Sequence, residues 1–332
     1  MNGIICTVIA LVCGIFVQSL NPISVVKCGL VVEQQYSFDA AGTTGAQSNV
    51  WFQNGFVMST KRPIFCGITI PVSGSIDLNN STYPLQLQNT LILGNNTQLV
   101  NGGIIEGGGK YSIFLSDDLM YSGSSLTLKN ITIESSNRVL MLASSARLRV
   151  PEGAFLEFKN ITVIMQPGAR IEMQGKTSRL LLSNVRVIFE DDYRFDQGSL
   201  EVQGDTYFEG NAAHSIVYVS DGTLCIKALS KLSLGRDMTL RYECKMSDRL
   251  LFTDRTSVLC FKESSLVVVN TMLRLEKGTI FVRRSGIFCV EGALSKIICI
   301  EGSDQNALFF ERQPNLVRGD QYGGITYAQW DS

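Results

Sequence analysis

One histidine, two tryptophans and seven prolines stand in 332 residues. A single histidine excludes a multi-histidine metal set and leaves any Ser–His–acid triad one candidate base. The scarcity of proline leaves nearly every backbone N–H available, as strands need, while 30 glycines supply tight turns. Neither sign of charge is in excess, with 29 Lys and Arg against 30 Asp and Glu, so no global basic field exists to attract nucleic acid or anionic lipid. No CxxC pair occurs, which removes zinc ribbons and dithiol redox centres. Between about Ser73 and Phe310 no stretch holds a 3.6-residue apolar period long enough for an ordinary helix.

The longest apolar run is Ile4 to Val17. Its length is that of an export signal, read here as residues 1–20, although no Lys or Arg precedes Lys27. A retained membrane anchor is the competing reading, for which the run is short against the ~20 residues that span a bilayer. The expectation is an exported chain, secreted, periplasmic or at a cell surface, with no transmembrane span once the signal is removed. Cys28, Cys66, Cys225, Cys244, Cys260, Cys289 and Cys299 then remain. Cys28 and Cys66 flank one polar segment and could be bridged in an oxidising compartment.

From Ser73 to Phe310 the chain is a series of three- to five-residue apolar segments, many alternating apolar and polar, separated by Gly, Asn, Ser and Asp. These are short strands. Their onsets fall at Leu126, Ile131, Val139, Leu148, Leu156, Ile161, Ile171, Leu180 and Val185. One unit recurs: Leu126 to Ile133 (LTLKNITI), Leu156 to Val163 (LEFKNITV) and Leu180 to Val187 (LLLSNVRV). Asn130, Asn160 and Asn184 occupy the same place in each. A bend between strands needs a residue that tolerates left-handed backbone, and Asn does so at lower cost than other non-glycine residues. Stacked coils with three strands each satisfy the spacing, and the three Asn are expected at equivalent corners of the stack.

These units resemble the turns of the right-handed parallel β-helix, or pectin-lyase-like, superfamily, whose coils bend between two strands through such an Asn. The resemblance implies an all-β solenoid over residues 73–310, with 21–72 as N-terminal cap and 311–332 as C-terminal cap or tail. It also implies two functional readings. One is a non-catalytic exported protein that serves surface or envelope adhesion, recognising a glycan or a protein partner. The other is a polysaccharide lyase or glycoside hydrolase acting on an acidic polysaccharide. Of the polygalacturonase-like motifs only Asp-Asp is present, as at Asp191-Asp192, while the single histidine, His214, has no glycine beside it and no Arg-x-Lys occurs. No catalytic residue carries over.

The densest acidic group is Glu190, Asp191, Asp192 and Asp196. Two such carboxylates could serve as acid and base on a glycoside. Oxygens of Asp191 and Asp192 could also hold calcium, the one cofactor the sequence suggests. A solvated charged turn is the plainer reading. The glycines from Gly102 to Gly109 before Lys110 lack phosphate-loop spacing and are turn residues. Last, the middle residues of the apolar-x-apolar strands change character along the chain. Thr127, Thr132, Glu157, Thr162, Glu172, Arg186 and Glu201 are polar, whereas Val217, Cys225, Cys260, Val267, Phe281, Phe288 and Cys299 are not. The second set predicts an outward apolar face near Phe281 and Phe288, covered by the tail or by self-association.

Overall fold

A computed structural model describes residues 102–210, 215–244 and 249–262 continuously, and shorter stretches, chiefly strands, elsewhere between residues 31 and 329. The described residues are all-β, without helices, and the strands stack in parallel as a solenoid. No helix among them is long and apolar enough to cross a membrane. The chain visits three faces in rotation. The first face is an eleven-stranded ladder from Val31–Val32 to Leu250–Phe252. The second is an eleven-stranded ladder from Ser75–Asp77 to Asn306–Phe310.

The third face is interrupted. Five strands run from Pro84–Gln86 to Arg170–Met173, and a separate five from Tyr193–Phe195 to Ile287–Val290. Beyond Leu250–Phe252 the first face gives way to a three-stranded ladder of Met272–Leu275, Lys296–Glu301 and Ile325–Gln329. Strands Val31–Val32, Val50–Gln53 and Ile68–Val72, in the stretch expected to be a cap, extend the first-face ladder, and Ile325–Gln329 pairs with Lys296–Glu301. The export-signal region, Cys28 and Cys66 lie outside the described residues.

Alternation builds the core, as in Ile131–Ser135, where Ile131, Ile133 and Ser135 are buried and Thr132 and Glu134 partly exposed. Inward aromatics fill the middle of the solenoid: Phe158, Phe195, Phe208 and Phe261 are all 1% exposed or less, and Phe189 meets Phe208 edge-on at 5.3 Å.

The strand onsets agree with the sequence reading to within a residue, but the Asn register needs correction. Asn130, Asn160 and Asn184 all have left-handed backbone, with φ of 50°, 54° and 55°. Asn160 and Asn184 share the corner between first and second faces, where Asn184 Nδ2 donates to Asn160 Oδ1 at 3.3 Å. Asn130 instead joins the third face to the first, and its Oδ1 accepts the Phe155 N–H at 3.2 Å. The partners of Leu126 are Gly103 and Leu148, not Leu156. Residue Ile131 pairs with Leu156, 25 positions on, so a 30-residue offset is one coil plus one strand. One coil after Asn184 the corner residue is Gly204, with φ 67°, and a Cβ there would collide with Asn184 Oδ1.

The outward apolar set also divides. Val217, Val267 and Phe288 point inward: their exposures are 1, 3 and 2%, and Phe288 packs against Phe261 in the core. In strands such as Ser215–Val219 (SIVYV) residues of both parities are apolar, so alternation cannot set the phase. Phe281 does face outward, half-buried, beside Arg283. On the second face it stands in register with Cys260, Ser233 and Tyr207. Ser233 and Cys260 are each 1% exposed although they point away from the core, bracketed by the larger Tyr207 and Phe281. Among the described residues Cys225 and Cys260 form no disulfide, and the Cys244 thiol donates to Val219 O at 3.1 Å.

Candidate functional site

The interruption of the third face has a local cause. At that level the carbonyls of strand Arg170–Met173 receive side chains in place of a backbone ladder. The buried Tyr193 hydroxyl donates to Ile171 O at 2.8 Å, and Gln197 Nε2 donates to Met173 O. Backbone acceptors are satisfied without a paired strand, so the two coils can part at the surface. A cleft of about 710 Å³ opens there, lined by Arg147, Arg170 and Glu172 on one side and by Arg194, Asp196 and Gln197 on the other. A second cleft of about 480 Å³ shares Asp196 and Gln197 with it and includes Lys176 and Arg249.

Three successive coils supply the charges. Arg147 and Arg149 come from strand Arg147–Val150, Arg170 and Glu172 from Arg170–Met173, and Arg194 from Tyr193–Phe195. Both Glu172 oxygens are engaged, Oε1 by Arg147 Nη1 at 3.0 Å and Oε2 by Arg149 Nε at 3.1 Å. Arg170 bonds the carbonyls of Ala169 and Asp192 at 3.1 and 2.9 Å and lies 4.0 Å from the Asp191 carboxylate. Arg194 stacks over the Tyr218 ring at 4.3 Å.

The acidic residues singled out in the sequence separate in space. Asp191 and Asp192 form a turn: Asp191 Oδ1 accepts the Asp192 N–H at 2.8 Å, and Asp192 Oδ1 accepts the Ile216 N–H of the next coil at 2.9 Å. Asp117 and Asp118 make the same pair of bonds, to each other at 2.8 Å and to the Val139 N–H at 2.9 Å. Each first Asp faces an arginine, Arg170 or Arg138. An Asp-Asp pair in this chain therefore ties one coil to the next. Glu190 stands at the start of that turn, and Asp196 alone of the four lines the cleft. Among the described residues no three His, Cys, Asp or Glu gather in a way that could hold a metal ion.

A second ionic cluster lies on the first face. Burial by itself pushes the Glu201 carboxyl up, but hydrogen bonds from Arg179 at 2.6 Å and Lys227 at 2.8 Å more than offset this and bring it down to about 2. Glu201 is 7% exposed and lines neither of the two clefts, and the cluster braces the ladder.

No sequence motif singles out Arg147, Arg170 and Arg194. The available signal was arginine recurring on successive third-face strands, with Arg147 and Arg170 in register. Comparison of the chain with protein-family models, with curated proteins and with solved structures finds no match.

Proposed function

We propose that this chain is an exported, non-catalytic β-helix of the pectin-lyase-like kind that recognises an acidic glycan at a surface or envelope. The cleft at the third-face interruption is its binding site. The observation that carries this reading is the convergence of Arg147, Arg170 and Arg194, from three successive coils, on one cleft. Coils repeat at about 4.8 Å, so guanidinium groups on three of them suit an extended anionic chain better than a compact ligand. Arginine forks match carboxylate geometry.

The carboxylates favour binding over turnover. A glycoside hydrolase needs two free to act as acid and base or nucleophile, whereas here Glu172 is held by two arginines and Asp191 and Asp192 serve the turn. The enzymatic reading keeps one supporting observation, since acidic and basic side chains from three adjacent coils do meet in a single groove.

A glycan array run together with a reducing-sugar assay on a polysaccharide panel separates the two. The expected result is salt-sensitive binding to uronate-containing glycans with no new reducing ends. Turnover of any polysaccharide in the panel would sink the non-catalytic reading, and binding confined to neutral glycans would sink the role of the arginines.

A further inference from the structure

The arginines that border the cleft are not equivalent. Arg147 and Arg149 share Glu172, and Arg170 is fixed by two carbonyls and faces Asp191. Their charge is partly or wholly answered within the protein. Arg194 has no carboxylate within ion-pair distance among the described residues, and its guanidinium rests on the ring of Tyr218, one coil on, at 4.3 Å. On the far side of that ring the ladder places Arg241, whose Nε is bound to Glu243 at 2.7 Å. Of the residues at this level, Arg194 carries the unanswered charge.

We infer that Arg194, held in place by Tyr218, is the residue that binds a carboxylate of the ligand, and that Tyr218 is its positioning residue. This rests on the cleft being the glycan site. A guanidinium stacked on an aromatic face has one flat side desolvated and its N–H edges free. Those edges can form a bidentate pair with a planar carboxylate, and the stacking has already fixed a side chain that would otherwise lose rotamer freedom on binding. Lysine offers neither the fork nor the flat surface for stacking, so the arrangement selects arginine. The neighbouring Asp196, on the wall shared by the two clefts, adds negative charge that disfavours a second anion close by and so helps set the register of an anionic chain.

The test is calorimetric titration of the full-length protein with size-defined galacturonate, guluronate and glucuronate oligomers, their methyl esters, and a sulfated glycan. It is repeated on Arg194→Lys, Tyr218→Phe, Tyr218→Ala and Arg186→Ala, the last a control on the second face. Thermal melts establish that each variant is folded. For the uronate that binds, Arg194→Lys should weaken affinity roughly tenfold or more, as expected for loss of a bidentate charged pair. Tyr218→Phe should keep wild-type affinity and Tyr218→Ala should lose about fivefold, because the ring and not the hydroxyl does the positioning. Methyl esters should bind wild type more weakly than the acid does, and Arg194→Lys should tell acid from ester less sharply than wild type, since its ammonium keeps the charge but not the fork. If wild type binds a uronate and Arg194→Lys or Tyr218→Ala binds it equally well, this inference fails while the cleft reading stands. A glycan that binds only when sulfated overturns the carboxylate assignment, and wild type that binds no acidic glycan overturns both.

Discussion

The second face runs past the level of Arg170 and Arg194 without a break, in one ladder of eleven strands, while the third face parts there into two ladders of five. Both are built from the same short alternating strands, and what separates them is which groups satisfy the carbonyls between coils. On the second face, Thr162–Met165 and Arg186–Phe189 pair residue for residue. On the third, Tyr193 and Gln197 side chains take acceptors of the strand below, and charged residues fill the gap. The solenoid can therefore open one side while the other two hold it together. Stability should depend on the faces that run past the interruption, and binding on the interruption itself.

The largest expected effect is in the core beneath the unbroken second face. Phe208, 1% exposed and edge-on to Phe189, is in the coil just after the interruption. Phe208→Ala should cost about 4 kcal/mol in a denaturant melt, and a loss under about 1 kcal/mol would mean that the ladders do not share one packed interior.

Acid comes next. Glu201 has a folded-state pKa of about 2 against an ordinary 4.5. Its contribution is fully present above pH 4.5 and is lost as pH falls towards 2, at about 2 kcal/mol after allowance for the exposed ends of Arg179 and Lys227. Glu201→Gln should flatten that segment of the stability–pH curve, and a curve of unchanged slope would contradict the role given to the carboxylate.

A smaller difference should separate two asparagines with the same backbone conformation. Asn184 bonds both Asn160 and the Asp205 N–H, the latter at 3.1 Å, whereas Asn130 has the single bond to Phe155 N–H. Asn184→Ala should cost about 1.5 kcal/mol and Asn130→Ala about half as much. Equal losses would restore the equivalence that the repeated sequence suggests. The smallest stability effect belongs to the interruption: Arg194→Ala should shift the melt by less than about 0.5 kcal/mol, since it removes one exposed stacking contact.

The solenoid was legible in the sequence because its two signals are local. Short alternating segments mark the strands, and Asn at a bend marks left-handed backbone. Which corner a bend occupies is not local. Leu126–Ile133 and Leu156–Val163 have one sequence pattern on different pairs of faces, and only the pairing of Leu126 with Leu148 reveals it. Strand phase was readable where polar residues occupied one parity, as in Ile131–Ser135, and failed at Val217, Val267 and Phe288, where both parities are apolar. The cleft was hidden for a further reason. Its arginines lie 23 and 24 residues apart, and their convergence depends on coil length, while the conspicuous Glu190–Asp192 run proves to be a turn like that at Asp117 and Asp118.

Amide hydrogen exchange with and without a bound uronate oligomer tests most directly the assignment of binding to the interruption and of stability to the unbroken faces. New protection is expected in residues 169–173 and 193–198, on the two sides of the cleft, and none in the second-face strands Val139–Leu142, Thr162–Met165 and Arg186–Phe189, which should already be slow to exchange. Protection that appeared on the second face, or spread evenly over all three, would contradict that assignment.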